Sequence, residues 1–419
     1  MTTPTSTPTP ASTSTYTSTS TPQRVADATT PPRQVPVLWL ALLATPLAAG
    51  ANAPVLILPD MARSLGVSTA AVTWLVTAFA WAMAVGTPLL AGLLRQRGVR
   101  STLRVSSALV VAGTALVASA PWLPLALAGR AGQALGGAGL VAVAMNLAGS
   151  TRRMGVITSG FGVLGAAGPL LGSLIGGAVS WHAALTVSAV SLVAVPVVAR
   201  YAQAAPPLAP TFDTRGAGLL VALASALILI PHTPLAALGA ALVAAALLGR
   251  HLRLRPEGFV PAAVLRSPLF VVSALTGLTL ATSYFTLLFA VPRLITDRTG
   301  WATSAIGTGQ LIALLTGSAL SLLFAAGAGR LGRRTVFATL LTVGALAPAV
   351  AAFASSAPVL LLTATAAVFA ATGSNAVLAV YAGGTAPAAQ RPAAIGMFVL
   401  CFQLGGAFGP AIAAALVLG

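Results

Sequence analysis

Arg130 is the ionisable residue of this sequence that lies deepest within an apolar segment. It stands seven residues into the stretch 123–149, which is roughly 10 Å along a helix that rises about 1.5 Å per residue. An unpaired charge inside a bilayer costs several kcal/mol, so the guanidinium needs a partner or a wet cavity. We expect the partner to be Asp60. Backbone carbonyls freed near Pro54 are the alternative, and a structural arginine satisfied by the backbone is the competing interpretation.

Few groups in the sequence could carry a proton. The acids all lie outside the centres of apolar segments: Asp27, Asp60, Asp213, Glu257 and Asp297. The histidines fall in predicted loops: His182, His232 and His251. Because arginine does not release its proton at usable pH, Asp60 is the group that we expect to exchange a proton.

The sequence contains no motif for nucleotide hydrolysis, metal binding or hydrolysis by paired carboxylates. There is no phosphate loop of the form G-x-x-x-x-G-K-[ST], no His and Cys cluster with metal-ligand spacing and no acid pair suited to hydrolysis. The sequence therefore predicts no enzyme, no metal site and no cofactor, with a proton as the expected coupling ion.

The composition is that of a membrane protein. Apolar residues make up 57% of the chain and charged residues 6%, whereas soluble domains carry about 25% charge. The apolar runs match the roughly 20 residues that cross a bilayer as a helix. The alternating segments of about ten residues that mark a membrane barrel are absent from the sequence. We therefore predict an all-α, polytopic protein whose surroundings are a lipid bilayer.

The sequence predicts thirteen spans behind a disordered tail. Residues 1–35 are rich in Thr, Ser and Pro. A tight turn, Pro231-His232-Thr233-Pro234, separates the two short spans at the middle of the chain. The predicted spans are 37–59, 70–94, 105–121, 123–149, 155–179, 183–200, 215–231, 234–249, 269–292, 302–328, 335–354, 358–382 and 393–418.

The charge pattern predicts orientation. All 22 basic residues are arginines, and the net charge is +17. With the N-terminus inside, the cytoplasmic segments hold most of these arginines, which is the distribution expected of an inner (plasma) membrane protein. The positive charge therefore indicates cytoplasmic loops rather than a nucleic-acid partner.

Two pairs of similar segments form an internal repeat. "RQRGVRSTL" (95–103) resembles "GRLGRRTVF" (329–337), and "GAAGP" (165–169) resembles "GAFGP" (406–410). Two related helical bundles are typical of secondary transporters, whose substrate site lies between the repeats. The predicted organisation is an N-terminal six-helix bundle (36–200), a linker with an inserted helix pair (201–266) and a C-terminal bundle (267–419).

The repeated turn resembles a motif of the major facilitator superfamily, specifically of its drug:proton antiporters. The matching residues of this cytoplasmic loop motif are Leu93, Gly98 and Arg100 in the first copy, and Arg330, Gly332, Arg333 and Arg334 in the second. Arg95 and Gly329 stand where the family has an aspartate that is thought to latch the two halves. The resemblance therefore implies a transporter without that latch.

Further motifs resemble the fourteen-helix multidrug and antibiotic efflux branch. Arg130 and Gln133 match its Arg-x-x-Gln-Gly motif, and "QLGGAFGP" (403–410) resembles its penultimate span. The inserted pair and a Leu-Pro that closes span one also point to that branch. The branch carries an aspartate nine residues before that proline, where this chain has Gly50. One span fewer than fourteen is predicted here.

Span five resembles the antiporter signature of that family. Gly165, Gly168, Gly172 and Gly176 step by three and four residues, which places them on one helical face where a neighbouring backbone can approach. Pro169 bends the helix. Together with Gly409 and Pro410 of the second copy, this face is expected to let the bundles pivot; ordinary close packing is the alternative.

The resemblance implies a central cavity for a small amphipathic substrate, which isolated polar groups among aromatics would suit. For each aromatic, packing against lipid is the alternative. The candidate lining residues are Asn52, Trp74, Trp81, Gln133, Asn146, Tyr284, Phe285, Asn375, Phe402 and Gln403. We expect a monomeric exporter that works by alternating access in exchange for protons. An uptake permease or passive facilitator, and a non-transporting scaffold or degenerate transporter, remain the alternatives.

Overall fold

Helices form the secondary structure of the residues that the computed structural model describes, which are 34–201, 213–230, 233–255, 262–387 and 390–418. The chain divides into Met1–Gln34 and Val35–Gly419, and every helix described below belongs to the second unit. The tail predicted for residues 1–35 lies outside the described residues except for its last two positions. The all-helical class is confirmed for the described part of the chain.

Twelve apolar helices follow one another along the described chain. Ten of them are long and apolar enough to cross a membrane, whereas α5 and α6 are shorter. The helices are α1 (Val37–Leu56), α2 (Thr69–Ala118), α3 (Leu123–Ala148), α4 (Arg152–Ala178), α5 (Val187–Tyr201), α6 (Thr214–Leu229), α7 (Pro234–Leu254), α8 (Pro268–Thr299), α9 (Thr303–Arg330), α10 (Arg333–Phe353), α11 (Ala357–Gly384) and α12 (Ala393–Val417).

Helix α2 contains two of the predicted spans. Gly98 breaks it with φ 73° and ψ 179°, a conformation that glycine adopts without steric cost. Residues 95–104, predicted as a connecting turn, are helical on both sides of this glycine, since one residue suffices for the break. With the two limbs of α2 counted separately, the described residues contain thirteen apolar helical segments, as predicted.

The helices pack as two related halves, which we call the first half (35–201) and the second half (262–418). In the first half α1 packs on α3, α4 and α5, and α2 packs on α3. In the second half α8 packs on α11 and α12, and α11 also packs on α9 and α10. The halves meet where α2 contacts α12 and where α4 contacts α9. The sequence repeat relates α2 to α9 and α4 to α12, so these two contacts are pseudo-symmetry mates.

The two ends of the bundle differ in their apolar cores. We call the end that holds Gly98 and Arg330–Arg334 the arginine-rich end, and the opposite end the arginine-poor end. At the arginine-poor end one apolar cluster includes Met61 of the first half and Phe289 of the second. Nearer the arginine-rich end, the cluster around Leu40 lies within the first half, whereas the cluster around Phe398 also includes Val85 of α2. The halves therefore share apolar contacts around Met61 and Phe289 and, through α2, in the cluster around Phe398.

The inserted helices α6 and α7 pack on each other, and α6 also contacts α2 and α12. The Asp213 carboxylate caps α6 by accepting the Gly216 N–H at 2.9 Å, and it lies 2.8 Å from His251 Nε2 on α7. His251 therefore lies in a helix, and His182 lies in the short helix Trp181–Leu185, so their prediction as loop residues is wrong. His232 lies outside the described residues.

The glycine face of α4 packs against α1. A Cβ at Gly168 would lie 2.8 Å from the Ala49 carbonyl oxygen, and one at Gly172 would overlap the carbonyl of Ala53. The second copy repeats this arrangement, because Gly409 of α12 lies against Phe285 of α8. Each glycine face therefore packs inside its own half, and the expectation that it lets the bundles pivot is not tested by this packing. Their role in gating stays a prediction.

This packing predicts different costs for two neighbouring glycines. Gly172→Ala is expected to lower the free energy of unfolding by about 1–3 kcal/mol, because the added methyl group forces α1 and α4 apart. Gly177→Ala is the matched control, because nothing lies within 4 Å of the Cβ that it adds. Thermal unfolding of the purified protein measures both. Equal midpoints for the two variants would contradict the assigned packing.

Candidate functional site

Arg130 is fully buried and bonded to the first half. One terminal nitrogen donates to the Gly50 carbonyl at 3.0 Å, and the other donates to the Gln133 Oε1 at 3.1 Å. The guanidinium carbon lies 4.2 Å from the centre of the Phe79 ring, within the range of a cation–π interaction. Three neutral groups from α1, α2 and α3 therefore hold this charge.

Asp60 is not the partner of Arg130. Its carboxylate binds Arg63 one helical turn away, and its side chain is 54% exposed at the arginine-poor end. Arg130 instead takes the Gly50 carbonyl, which has no helical donor because Pro54, four residues on, lacks an N–H. The prediction of an Arg130–Asp60 pair is wrong, and the alternative of a carbonyl freed near Pro54 describes the contact.

Gln133 completes the network around Arg130. Its amide nitrogen donates to Thr114 Oγ1 and to the Leu185 carbonyl, both at 3.2 Å, while its oxygen accepts from Arg130. Gln133 is fully buried, and both ends of its amide are used. Its side chain therefore ties α3 to its neighbours instead of facing an open cavity in this conformation.

Asn52 of α1 also donates to a carbonyl that a proline leaves without a helical donor. Its amide donates at 2.9 Å to the carbonyl of Gly165, which Pro169 leaves without a helical donor. The Asn52 side chain also lies beside the side chain of Tyr284, on α8 of the second half. Asn52 therefore stands between the proline-containing helix α4 and the second half.

Gln310 was not recognised in the sequence. It lies fully buried on α9, and its amide donates at 2.9 Å to the carbonyl of Leu288, which Pro292 leaves without a helical donor. Its Oε1 is buried and has no partner among the described residues. The sequence signal is Pro292, which shows that the Leu288 carbonyl needs a donor from outside its own helix. The sequence does not show that Gln310 is this donor, because that depends on how α9 packs on α8.

Ser283 supplies a fourth contact of this kind. Its hydroxyl donates at 3.3 Å to the carbonyl of Gly344 on α10, four residues before Pro348. Buried polar side chains therefore occur in both halves where prolines free backbone carbonyls.

Some predicted cavity residues come together where α1 meets α8. Tyr284 is buried and its ring lies 4.7 Å from that of Phe285, with the polar end of Asn52 adjacent. Phe402 is buried and Gln403 half-buried on α12. These positions combine aromatic surface with isolated polar groups.

Trp81, another predicted cavity residue, lies elsewhere. Its indole donates at 2.9 Å to Ser225 on α6, so it packs against the inserted pair. Asn146 and Asn375 are exposed, and Trp74 is half-buried. The place of these three residues in a cavity stays a prediction.

The halves contact each other through few polar groups. Thr77 on α2 donates at 3.4 Å to the Ala407 carbonyl on α12. A Cβ at Gly307 of α9 would lie 3.1 Å from the side chains of Leu170 and Leu56. The interface is therefore mainly apolar, and it brings α9 close to α1 and α4 at the arginine-poor end.

A surface pocket of about 450 Å³ opens at the arginine-poor end. It contains Asp60 and Arg63, and its wall includes Trp181, whose indole donates to Ser64 at 2.9 Å. Asp60 therefore lies in a solvent-accessible hollow of the first half.

Within the described ranges, no group of three or more His, Cys, Asp or Glu side chains could hold a metal ion.

The repeated loop motif lies at the arginine-rich end. Leu93 is half-buried and Arg100 exposed, on either side of Gly98. In the second copy Arg330, Gly332, Arg333 and Arg334 are exposed, and the Arg333 guanidinium lies 5.7 Å from the centre of the Tyr381 ring. The structure thus places both copies at the same end of the bundle, as the repeat requires.

A comparison with known families decides the class. The family model described as Major Facilitator Superfamily matches residues 38–292 and 269–419. The chain belongs to this superfamily. It is therefore a multi-pass membrane protein with the helical fold of this superfamily.

Two curated relatives are similar over part of their length. A chloramphenicol resistance protein of Streptomyces lividans is 35% identical over 198 residues, which are 45% of this chain and 50% of the relative. MFS transporter L2 of a Phoma species is 33% identical over 132 residues, which are 30% of this chain and 22% of that protein. The chain thus spans half or less of the length of the relatives that it matches.

Solved structures share the fold. A POT family transporter in complex with 5-aminolevulinic acid has a TM-score of 0.62 at 13% identity, over 91% of this chain and 90% of the other. The POT family transporter PepTSo has a TM-score of 0.61 at 17% identity, over 92% and 90%. At such low identity these likenesses support the architecture alone.

The contacts of Arg130 and Asp60 predict that substitutions of these two residues change the free energy of unfolding by different amounts. Arg130→Ala is expected to lower the free energy of unfolding by about 2–4 kcal/mol, because it leaves the Gly50 carbonyl and the Gln133 oxygen buried without donors. Asp60→Asn is expected to change it by less than about 1 kcal/mol, because its ion pair is exposed to solvent. Thermal unfolding in detergent measures both. A large loss for Asp60→Asn would restore the rejected pairing.

Proposed function

We propose that this transporter exports small amphipathic compounds by alternating access. The observation that carries the proposal is the meeting of Asn52, Tyr284 and Phe285 where α1 contacts α8, because isolated hydrogen-bonding groups beside aromatic rings suit such ligands. The resistance protein that is 35% identical over part of its length supports an antibiotic or another drug as cargo.

The apolar contacts between the halves support an alternating cycle. One cluster joins the halves around Met61 and Phe289 at the arginine-poor end. The cluster around Phe398 adds Val85 of the first half, and the cluster around Leu40 lies in the first half alone. We propose from the arginine distribution that the arginine-rich end and the N-terminus face the cytoplasm of an inner (plasma) membrane. In this proposal the described conformation is closed towards the exterior, and export requires that the shared cluster separates. We propose a monomer, because each pseudo-symmetric half supplies one wall of the pathway.

Exchange against protons is the proposed driving reaction, and Asp60 is its proposed carrier. A passive facilitator is the second candidate. Two features of Asp60 favour this second candidate: its side chain is exposed, and it is paired with Arg63. A residue that carries a proton across the membrane has to be closed off from solvent on one side at each stage of transport.

A drug panel tests the proposed export. The chain is expressed in a bacterial host stripped of efflux pumps, and accumulation of each compound is measured with and without a protonophore. The proposal predicts lower accumulation of at least one amphipathic compound, with the difference abolished by the protonophore. Export down a gradient that persists with the protonophore would indicate the facilitator. Unchanged accumulation of every compound would contradict export and favour uptake of a metabolite or a non-transporting role.

An Asp60→Asn variant tests the proton carrier in liposomes. The proposed role predicts that efflux driven by a pH gradient falls at least tenfold, while exchange of substrate against substrate continues. Arg63→Gln is the matched control, because it removes the partner of the carboxylate and keeps the carboxylate itself. Full pH-driven efflux by Asp60→Asn would exclude this residue as the carrier.

A further inference from the structure

Arg130 is a buried positive charge with neutral partners. Its contacts are a carbonyl, an amide oxygen and an aromatic ring, and its Nε has no partner among the described residues. The guanidinium stays protonated at physiological pH. Hydrogen bonds to neutral groups satisfy its N–H groups, but they leave its net charge uncompensated.

The carboxylates of the described residues are engaged elsewhere. Asp60 binds Arg63, Asp297 lies 3.0 Å from Arg293, and Asp213 lies 2.8 Å from His251. The Asp60 and Asp297 pairs each lie within one helix, and Asp213 joins the start of α6 to α7. Among the described residues, then, none supplies a counter-charge to Arg130.

Position 50 has no room for such a group in this conformation. A Cβ at Gly50 would lie 2.8 Å from the Ser188 Cβ and 3.1 Å from the Ser188 nitrogen. The close approach of α5 to α1 excludes a side chain here, so the guanidinium meets only the backbone carbonyl of this residue.

The charge lies close to the proposed substrate site. Arg130 binds the carbonyl of Gly50, and Asn52, two residues further along α1, contacts Tyr284 of the second half. At about 10 Å and an effective dielectric constant of about 20, one unit charge changes the affinity for a singly charged ligand by about 15-fold. The same field disfavours a cation by a similar factor.

We propose, as an inference that rests on the proposed export function, that this transporter selects amphipathic compounds carrying one negative charge, such as a carboxylate. The substrate supplies the counter-charge that Arg130 lacks in the described conformation. Neutral compounds of the same shape bind more weakly, and lipophilic cations are excluded.

Three dansyl probes test this selection, because they share one fluorescent group and differ in charge. Dansylglycine is an anion, dansylamide is neutral and dansylcadaverine is a cation at pH 7. Fluorescence titration of the purified full chain in detergent measures binding, and proteoliposomes measure transport. The inference predicts that dansylglycine binds at least tenfold more tightly than dansylamide, with dansylcadaverine the weakest.

Two variants assign the preference to Arg130. Arg130→Lys keeps the charge and is expected to keep the preference for dansylglycine. Arg130→Gln keeps a donor for the Gly50 carbonyl but removes the charge, and it is expected to bring the three affinities within about threefold. Size-exclusion chromatography and thermal midpoints show whether each variant is folded, and an unfolded glutamine variant is replaced by Arg130→Met for the same comparison.

The outcomes separate this inference from the export function. Transport of the probes without preference for the anion, or an unchanged preference in Arg130→Gln, would overturn the charge selection and leave export standing. Preferential binding of dansylglycine without transport of any probe would support the selection and contradict export. Absence of binding by all three probes would overturn the charge selection.

Discussion

Several carbonyls freed by prolines are bound by polar side chains of neighbouring helices in this protein. A proline inside a membrane helix leaves the carbonyl four residues earlier without a donor, and lipid offers no substitute. Four such carbonyls accept a hydrogen bond from a side chain of a neighbouring helix, donated by Arg130, Asn52, Ser283 and Gln310. Each of these four proline-containing segments is therefore linked by a side-chain hydrogen bond to a second helix.

This constraint connects the two halves of the molecule. Pro54 and Pro292 stand at equivalent places of the repeat, on α1 and α8, and both free a carbonyl that a buried side chain binds. In the second half the donor is the neutral Gln310, whereas in the first half it is an arginine. The same backbone requirement is therefore met with a charge on one side only. We propose that this asymmetry underlies the charge preference inferred above.

The sequence predicts the elements of this arrangement better than the contacts between them. Apolar runs specify the helical segments, and the depth of Arg130 predicts that it needs a partner. Asp60 is a reasonable choice of partner because it lies towards the same end of the bundle as Arg130. The choice fails because the Asp60 carboxylate binds Arg63 at the surface. The glycine stripe of α4 correctly indicates close packing, but which helix it meets follows from tertiary structure. Trp81 is misjudged because the inserted helices cover the face on which it lies.

A double-mutant cycle on Pro292 and Gln310 tests most directly whether polar side chains are held by proline-freed carbonyls. Pro292→Ala restores an N–H that can reach the Leu288 carbonyl, so Gln310 is no longer required as its donor. We predict that Gln310→Leu lowers the free energy of unfolding by about 1–3 kcal/mol with Pro292 present, and by less than half as much in the Pro292→Ala background. Equal losses in the two backgrounds would contradict the account.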